Sequence, residues 1–193
     1  MSQEAREIAL LGRLTLKVRL FLQYTLMGYI FFTYEAIIVT GYLLSASTAV
    51  HLGLPLGPSV AVGVVASIIV SVIIVSWFAS KIARAARLST MGSPLWIWVG
   101  LGFVTGLIIL VYPASGPVAW LPGLGAGLAW YSLTLEDRVL RRIEFATGIL
   151  LLIASIPAVI LVDVYLALGL LGVVYTLSAL LSMNEAIRAF YQE

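Results

Sequence analysis

The sequence predicts an all-α integral membrane bundle of about six transmembrane helices in three antiparallel hairpins. Three observations predict it: a shortage of charge, six apolar stretches of bilayer length, and basic residues confined to one side. Of the 193 residues, 62% are hydrophobic and only 10% charged. A soluble domain carries about a quarter charged residues, because water must solvate its surface. An apolar solvent removes that need, and the length suits one compact bundle.

The six stretches lie near 21–45, 57–80, 94–113, 117–135, 142–160 and 164–183. Each approaches the roughly 20 residues that cross a hydrocarbon core. They form a transmembrane domain over 21–183, preceded by an interfacial segment at 1–20 and followed by a tail at 184–193. Residues 143–183 are almost continuously apolar, and Pro157 and Asp163 mark the break between the last two spans. Proline disturbs a helix, and a carboxylate prefers the interface. Pro113-Ala114-Ser115-Gly116-Pro117 reads as a tight turn, and His51 to Pro55 as a slightly longer link.

Orientation follows from the basic residues. Arg6, Arg13, Lys17 and Arg19 precede the first span, and Lys81, Arg84 and Arg87 follow the second. Arg138, Arg141 and Arg142 follow the fourth, and Arg188 follows the sixth. These are all 11 basic residues, and the six-span arrangement puts every one on the same side. Short loops rich in Lys and Arg stay in the cytoplasm, so both termini are expected inside a cell membrane. No cleavable leader is expected, since the first twenty residues are charged throughout. Segment 4–19 either lies in the headgroup layer, with Arg6, Arg13 and Lys17 on one face, or extends the first span.

Glu35 is the ionisable residue deep inside a span, within Phe31-Phe32-Thr33-Tyr34-Glu35. A charge there is expensive, so the group is expected either to bind a cation or proton, or to bond as a neutral acid to a hydroxyl on another helix. Tyr24, Gly28, Phe31, Ile38 and Tyr42 share its face. The candidate binding set is Glu35, Tyr34, Ser67 and Ser71. Small residues at four-residue spacing predict close helix packing: Ser59 and Gly63 in the second span, Gly102 and Gly106 in the third, Gly123 and Gly127 in the fourth. Trp77, Trp96, Trp98, Trp120 and Trp130 fit interfacial belts. Glu144 and Glu185 are expected at the cytoplasmic boundary, in reach of water, and Glu136 and Asp137 in local ion pairs with the nearby arginines.

Several chemistries are excluded. There is no cysteine and one histidine, His51, so thiolate sites, bis-histidine haem ligation and an HExxH zinc site are absent. No GxSxG elbow, P-loop or dinucleotide fingerprint occurs. Lys17 and Lys81 stand at span ends, which leaves no lysine for a Schiff base within the bundle. No catalytic residue, metal or cofactor is expected. The expected partners are the lipid bilayer and a membrane protein or second copy; a net charge of +2 does not suggest nucleic acid.

Thr105-Gly106 and Thr147-Gly148 each open an apolar run that ends in a proline, Pro113 or Pro157, with glycines in the return helix. Thr40-Gly41 repeats the pair in the first span. Over roughly residues 100–190 this pattern resembles the HdeD-like family of small six-span membrane proteins. The resemblance implies a stress-associated membrane protein that is not an enzyme, and it transfers no functional residue. The leading expectation is a non-enzymatic stress-related or accessory membrane component. The alternative is a small proton- or cation-coupled transporter or channel using Glu35.

Overall fold

The computed structural model describes residues 3–86 and 95–191, and within them the chain is all helix and turn. Six α-helices follow in order: α1 (Gln3–Leu52), α2 (Leu56–Ala86), α3 (Leu95–Val111), α4 (Trp120–Ser132), α5 (Arg138–Leu161) and α6 (Val164–Tyr191). A single 3-10 turn, Pro113–Ser115, joins α3 to α4. Four of these helices hold segments long and apolar enough to cross a membrane: Leu10–Leu52, Pro58–Ile82, Arg138–Leu161 and Val164–Tyr191. With 17 and 13 residues, α3 and α4 are shorter.

The helices pack in the spatial order α2, α1, α6, α5, α4, α3, each pair antiparallel. Three aromatic pairs record the long α1–α6 contact. Phe21 meets Phe190 at 5.6 Å, Phe31 meets Tyr175 at 5.4 Å, and Tyr42 meets Tyr165 at 5.6 Å. The face of Tyr24, Gly28, Phe31, Ile38 and Tyr42 is thus buried as a packing seam. Arg13, Lys17, Arg19, Lys81, Arg138, Arg141, Arg142 and Arg188 all fall at one end of the arrangement, while the opposite turns carry none. Arg87 lies outside the described residues.

Close backbone approach holds α4 between its neighbours. Every residue from Leu121 to Ala129 is buried. Gly123 and Gly127 face α3, against Leu101, Thr105 and Ile97, and the Thr105 hydroxyl donates to the Ala119 carbonyl at 3.1 Å. Gly125 and Gly148 bring α4 and α5 together: a β-carbon on Gly148 would lie 2.6 Å from the Ala129 nitrogen. Across α1 and α2, Gly41 faces Ser67 and Gly63 faces Ser45. The expected α3 seam is displaced by one face. Gly102 and Gly106 point outward into open space, and Gly100 makes the contact with Gly127. Ser59 lies half-buried at the edge of the α1–α2 seam.

Helix ends follow local chemistry. Asp137 caps α5, accepting from the Val139 and Leu140 amides at 2.8 and 2.9 Å, and Asp163 caps α6 through Tyr165 and Leu166 in the same way. The α5–α6 break falls at Val162–Asp163, since α5 runs on through Pro157. Val162 takes φ 53°, a left-handed conformation that strains a β-branched residue. Gly53 supplies the same conformation after α1 without strain. Segment 3–20 is helical and continuous with the rest of α1.

The seam predicts a contrast between two alanines. Gly148→Ala forces a methyl group into backbone and should destabilise the protein by about 2–3 kcal/mol. Gly106→Ala meets open space, and its better helix propensity should leave stability equal or higher. Thermal unfolding in mild detergent measures both, and equal losses would contradict this packing.

Candidate functional site

The inward stripe of α5 reads Leu140, Glu144, Thr147, Leu151, Ser155 and Ala158, all buried. Spacing of three and four puts these side chains on one face, while Arg138, Arg141 and Arg142 occupy the exposed one. Two contacts fix that rotation. Asp137, the α5 cap, also accepts from the Tyr24 hydroxyl of α1 at 3.3 Å. One turn beyond Glu144, the Thr147 hydroxyl shares a 2.6 Å hydrogen bond with Ser178 of α6. The Arg141 guanidinium turns back to the Leu135 carbonyl, its Nε at 2.9 Å.

Glu144 is therefore inside the bundle, not at its boundary. Only 3% of it is exposed, and its Oε2 is buried with no hydrogen-bond partner. Three tyrosines from three other helices lie within electrostatic reach of its carboxyl group: Tyr34 of α1, Tyr131 of α4 and Tyr175 of α6. Among the described residues the one ion pair is Arg188–Glu185, at 3.0 Å, so no cation faces Glu144 and none pairs with Glu136 or Asp137. Leaving a charge unpaired in so apolar a place costs several kcal/mol. Two states remain compatible with burial: the neutral acid, or a carboxylate with a bound cation.

Glu35 is the second interior acid. It is half-buried, and its Oε2 accepts from the Thr176 hydroxyl of α6 at 3.0 Å. Gly172 leaves the room it occupies, since a β-carbon there would approach Oε1 to 3.3 Å. Tyr34 precedes Glu35 in α1, and Tyr175 precedes Thr176 in α6.

The expected set of Glu35, Tyr34, Ser67 and Ser71 is not gathered in one place. Tyr34 joins Glu144, and Glu35 joins Thr176. Ser67 and Ser71 lie on α2, where their hydroxyls donate to the Gly63 and Ser67 carbonyls at 2.7 and 2.6 Å. Neither serine bonds to Glu35. Glu144 was legible in principle, because spacing of three and four aligns it with Leu140, Thr147 and Leu151 on the apolar stripe of α5. The remaining polar residues play local parts. His51 is exposed in the last turn of α1, 2.9 Å from the Ser47 carbonyl, and Lys81 stacks 4.1 Å above the Trp77 ring. No group of three metal-ligating side chains occurs among the described residues.

Fold and site define an all-helical protein with four helices long and apolar enough to cross a membrane, a buried acid with three tyrosines in electrostatic reach, and a second acid bonded to a threonine. Compared with models of protein families, with curated proteins and with solved structures, the chain matches none.

A buried acid with an unused oxygen is a liability to folding. Glu144→Met keeps the volume and removes the polar group, so it should stabilise the protein by about 1–3 kcal/mol. Thermal unfolding in detergent reads the change. A loss of that size would instead make Glu144 a structural partner.

Proposed function

We propose that this chain is a six-span membrane protein, with both termini in the cytoplasm, that carries protons through its interior acids as a small proton-coupled transporter. The observation that carries the proposal is Glu144: buried, unpartnered at Oε2, and within electrostatic reach of Tyr34, Tyr131 and Tyr175. A proton satisfies such a group without any partner from the protein, and it leaves when water or a hydroxyl reaches the site. Ionisable residues inside a membrane bundle mark ion and proton pathways.

The other two spans are α3 and α4. Each is short, but α4 is enclosed by α3 and α5 along its length, so its backbone and side chains meet protein rather than lipid. The basic residues gathered at one end support the cytoplasmic placement of both termini. Glu144 lies six residues into α5, about 9 Å of helix from the basic end. Glu35, bonded to Thr176, is the second proton position.

Reconstituted vesicles with an imposed pH gradient test this. Glu144→Gln keeps the shape and removes the exchangeable proton, and it should lower proton flux at least tenfold. Glu35→Gln should lower it less. Undiminished flux in Glu144→Gln would end the proposal.

A second function is favoured by a different observation. Gly102 and Gly106, with exposed Phe103 between them, present a small-residue face of α3 to the outside. Such a face lets another transmembrane helix approach closely. An accessory component of a larger assembly would use it, in line with the stress-associated role that the HdeD-like resemblance implies. Purification in mild detergent would then return the same second protein with the wild type and lose it with Gly106→Leu. Recovery of the chain alone would remove this reading.

A further inference from the structure

At the end opposite the basic residues, α2 and the turns of the other helices leave a cavity of about 570 Å³. Val60, Val64 and Ile68 of α2 form one wall, and Trp120 of α4 stands across it. Tyr42, Asp163 and Tyr165 close the outer rim. Small-molecule sites commonly have this size, with a mainly apolar lining and a few placed polar groups.

We propose that this cavity binds a hydrophobic organic cation, held by the Asp163 carboxylate and by the faces of Trp120, Tyr42 and Tyr165. Charge is the first argument. None of the described basic residues belongs to this end, and Asp163 is the one acid in the described turns that close it. Its Oδ1 accepts the Tyr165 and Leu166 amides at 2.9 and 3.0 Å, while its Oδ2 takes no hydrogen bond from any described residue. One carboxylate oxygen is therefore available to a ligand that brings positive charge.

The walls decide which cation. An inorganic ion needs several oxygen ligands, and the cavity offers a single carboxylate among apolar side chains. An ammonium or phosphonium centre carrying apolar groups meets both features at once. Its charge pairs with Asp163 and the aromatic faces, with tryptophan the strongest of the three, and its apolar groups fill the space beside Val60, Val64 and Ile68. Nothing here depends on Glu144, which lies toward the other end.

Tetraphenylphosphonium is the probe, measured by equilibrium binding to the purified full-length chain in a non-ionic detergent. Triphenylphosphine oxide serves as the neutral control. Asp163→Asn keeps a good helix cap, so α6 should start as before. The expected result is saturable binding of one cation per chain, at least tenfold weaker in Asp163→Asn and also weaker in Trp120→Leu, with the neutral compound indifferent to Asp163. Asp163→Ser, another capping residue, gives the same comparison if the asparagine variant does not fold. Absence of saturable binding, equal affinity in the Asp163 variants, or equal binding of the neutral compound would overturn the proposal. The last outcome would make the cavity a groove for lipid chains.

Discussion

Contact of backbone against backbone, allowed by missing side chains, is the constraint from which the rest of this structure follows. Apolar helices in an apolar solvent gain little from hiding their surfaces, so packing and polar contacts must select the partners. Gly123, Gly125 and Gly127 place α4 against α3 on one side and α5 on the other. That double contact fixes the rotation of α5 and with it the direction of Glu144. Gly41, Gly63 and the serines opposite them do the same for α1 and α2. On the far side of α1, Gly28 packs 3.0–3.1 Å from Met183 and Ala179 of α6 once a β-carbon is imagined there.

Polar groups divide into two kinds within this frame. Most hydroxyls turn back to carbonyls of their own helix, as in Ser67, Ser71, Thr147, Ser178 and Ser182, and so bring no demand into the interior. Asp137 and Asp163 finish helix ends. Glu144 and Glu35 differ, because neither serves its own backbone. One leans on a threonine of the next helix, and the other has an oxygen with nothing to bond. Selection against such groups is strong in a lipid environment, which is why their chemistry, rather than their packing, carries the functional argument.

The positions of the helices were legible in the sequence, because a bilayer-length apolar run followed by a turn signal leaves few alternatives. Their rotations were less so. Gly102 and Gly100 are both small and two residues apart, and Thr105 is the one hydroxyl on α3 that hints at the inward face. Only the fit against Gly127 decides. Pro157 does not end α5: near the end of the helix its missing amide removes a single bond, and the helix continues to Leu161, beside the expected end of the fifth span near 160. Glu144 was assigned to the boundary from its distance along the chain to the arginines. The stripe of Leu140, Thr147 and Leu151 turns Glu144 inward although Arg141 is only one turn before it, and that register is not visible in hydropathy.

The unbroken course of α1 has its own mechanical implication. Its 50 residues run about 75 Å at 1.5 Å per residue, more than twice the hydrocarbon thickness of a bilayer. Phe21 is already level with Phe190 near the end of α6, so the residues before it project past the bundle as a lever. A torque applied to that projecting arm would be delivered, without a hinge to absorb it, to Glu35 and onward to the rim at Tyr42.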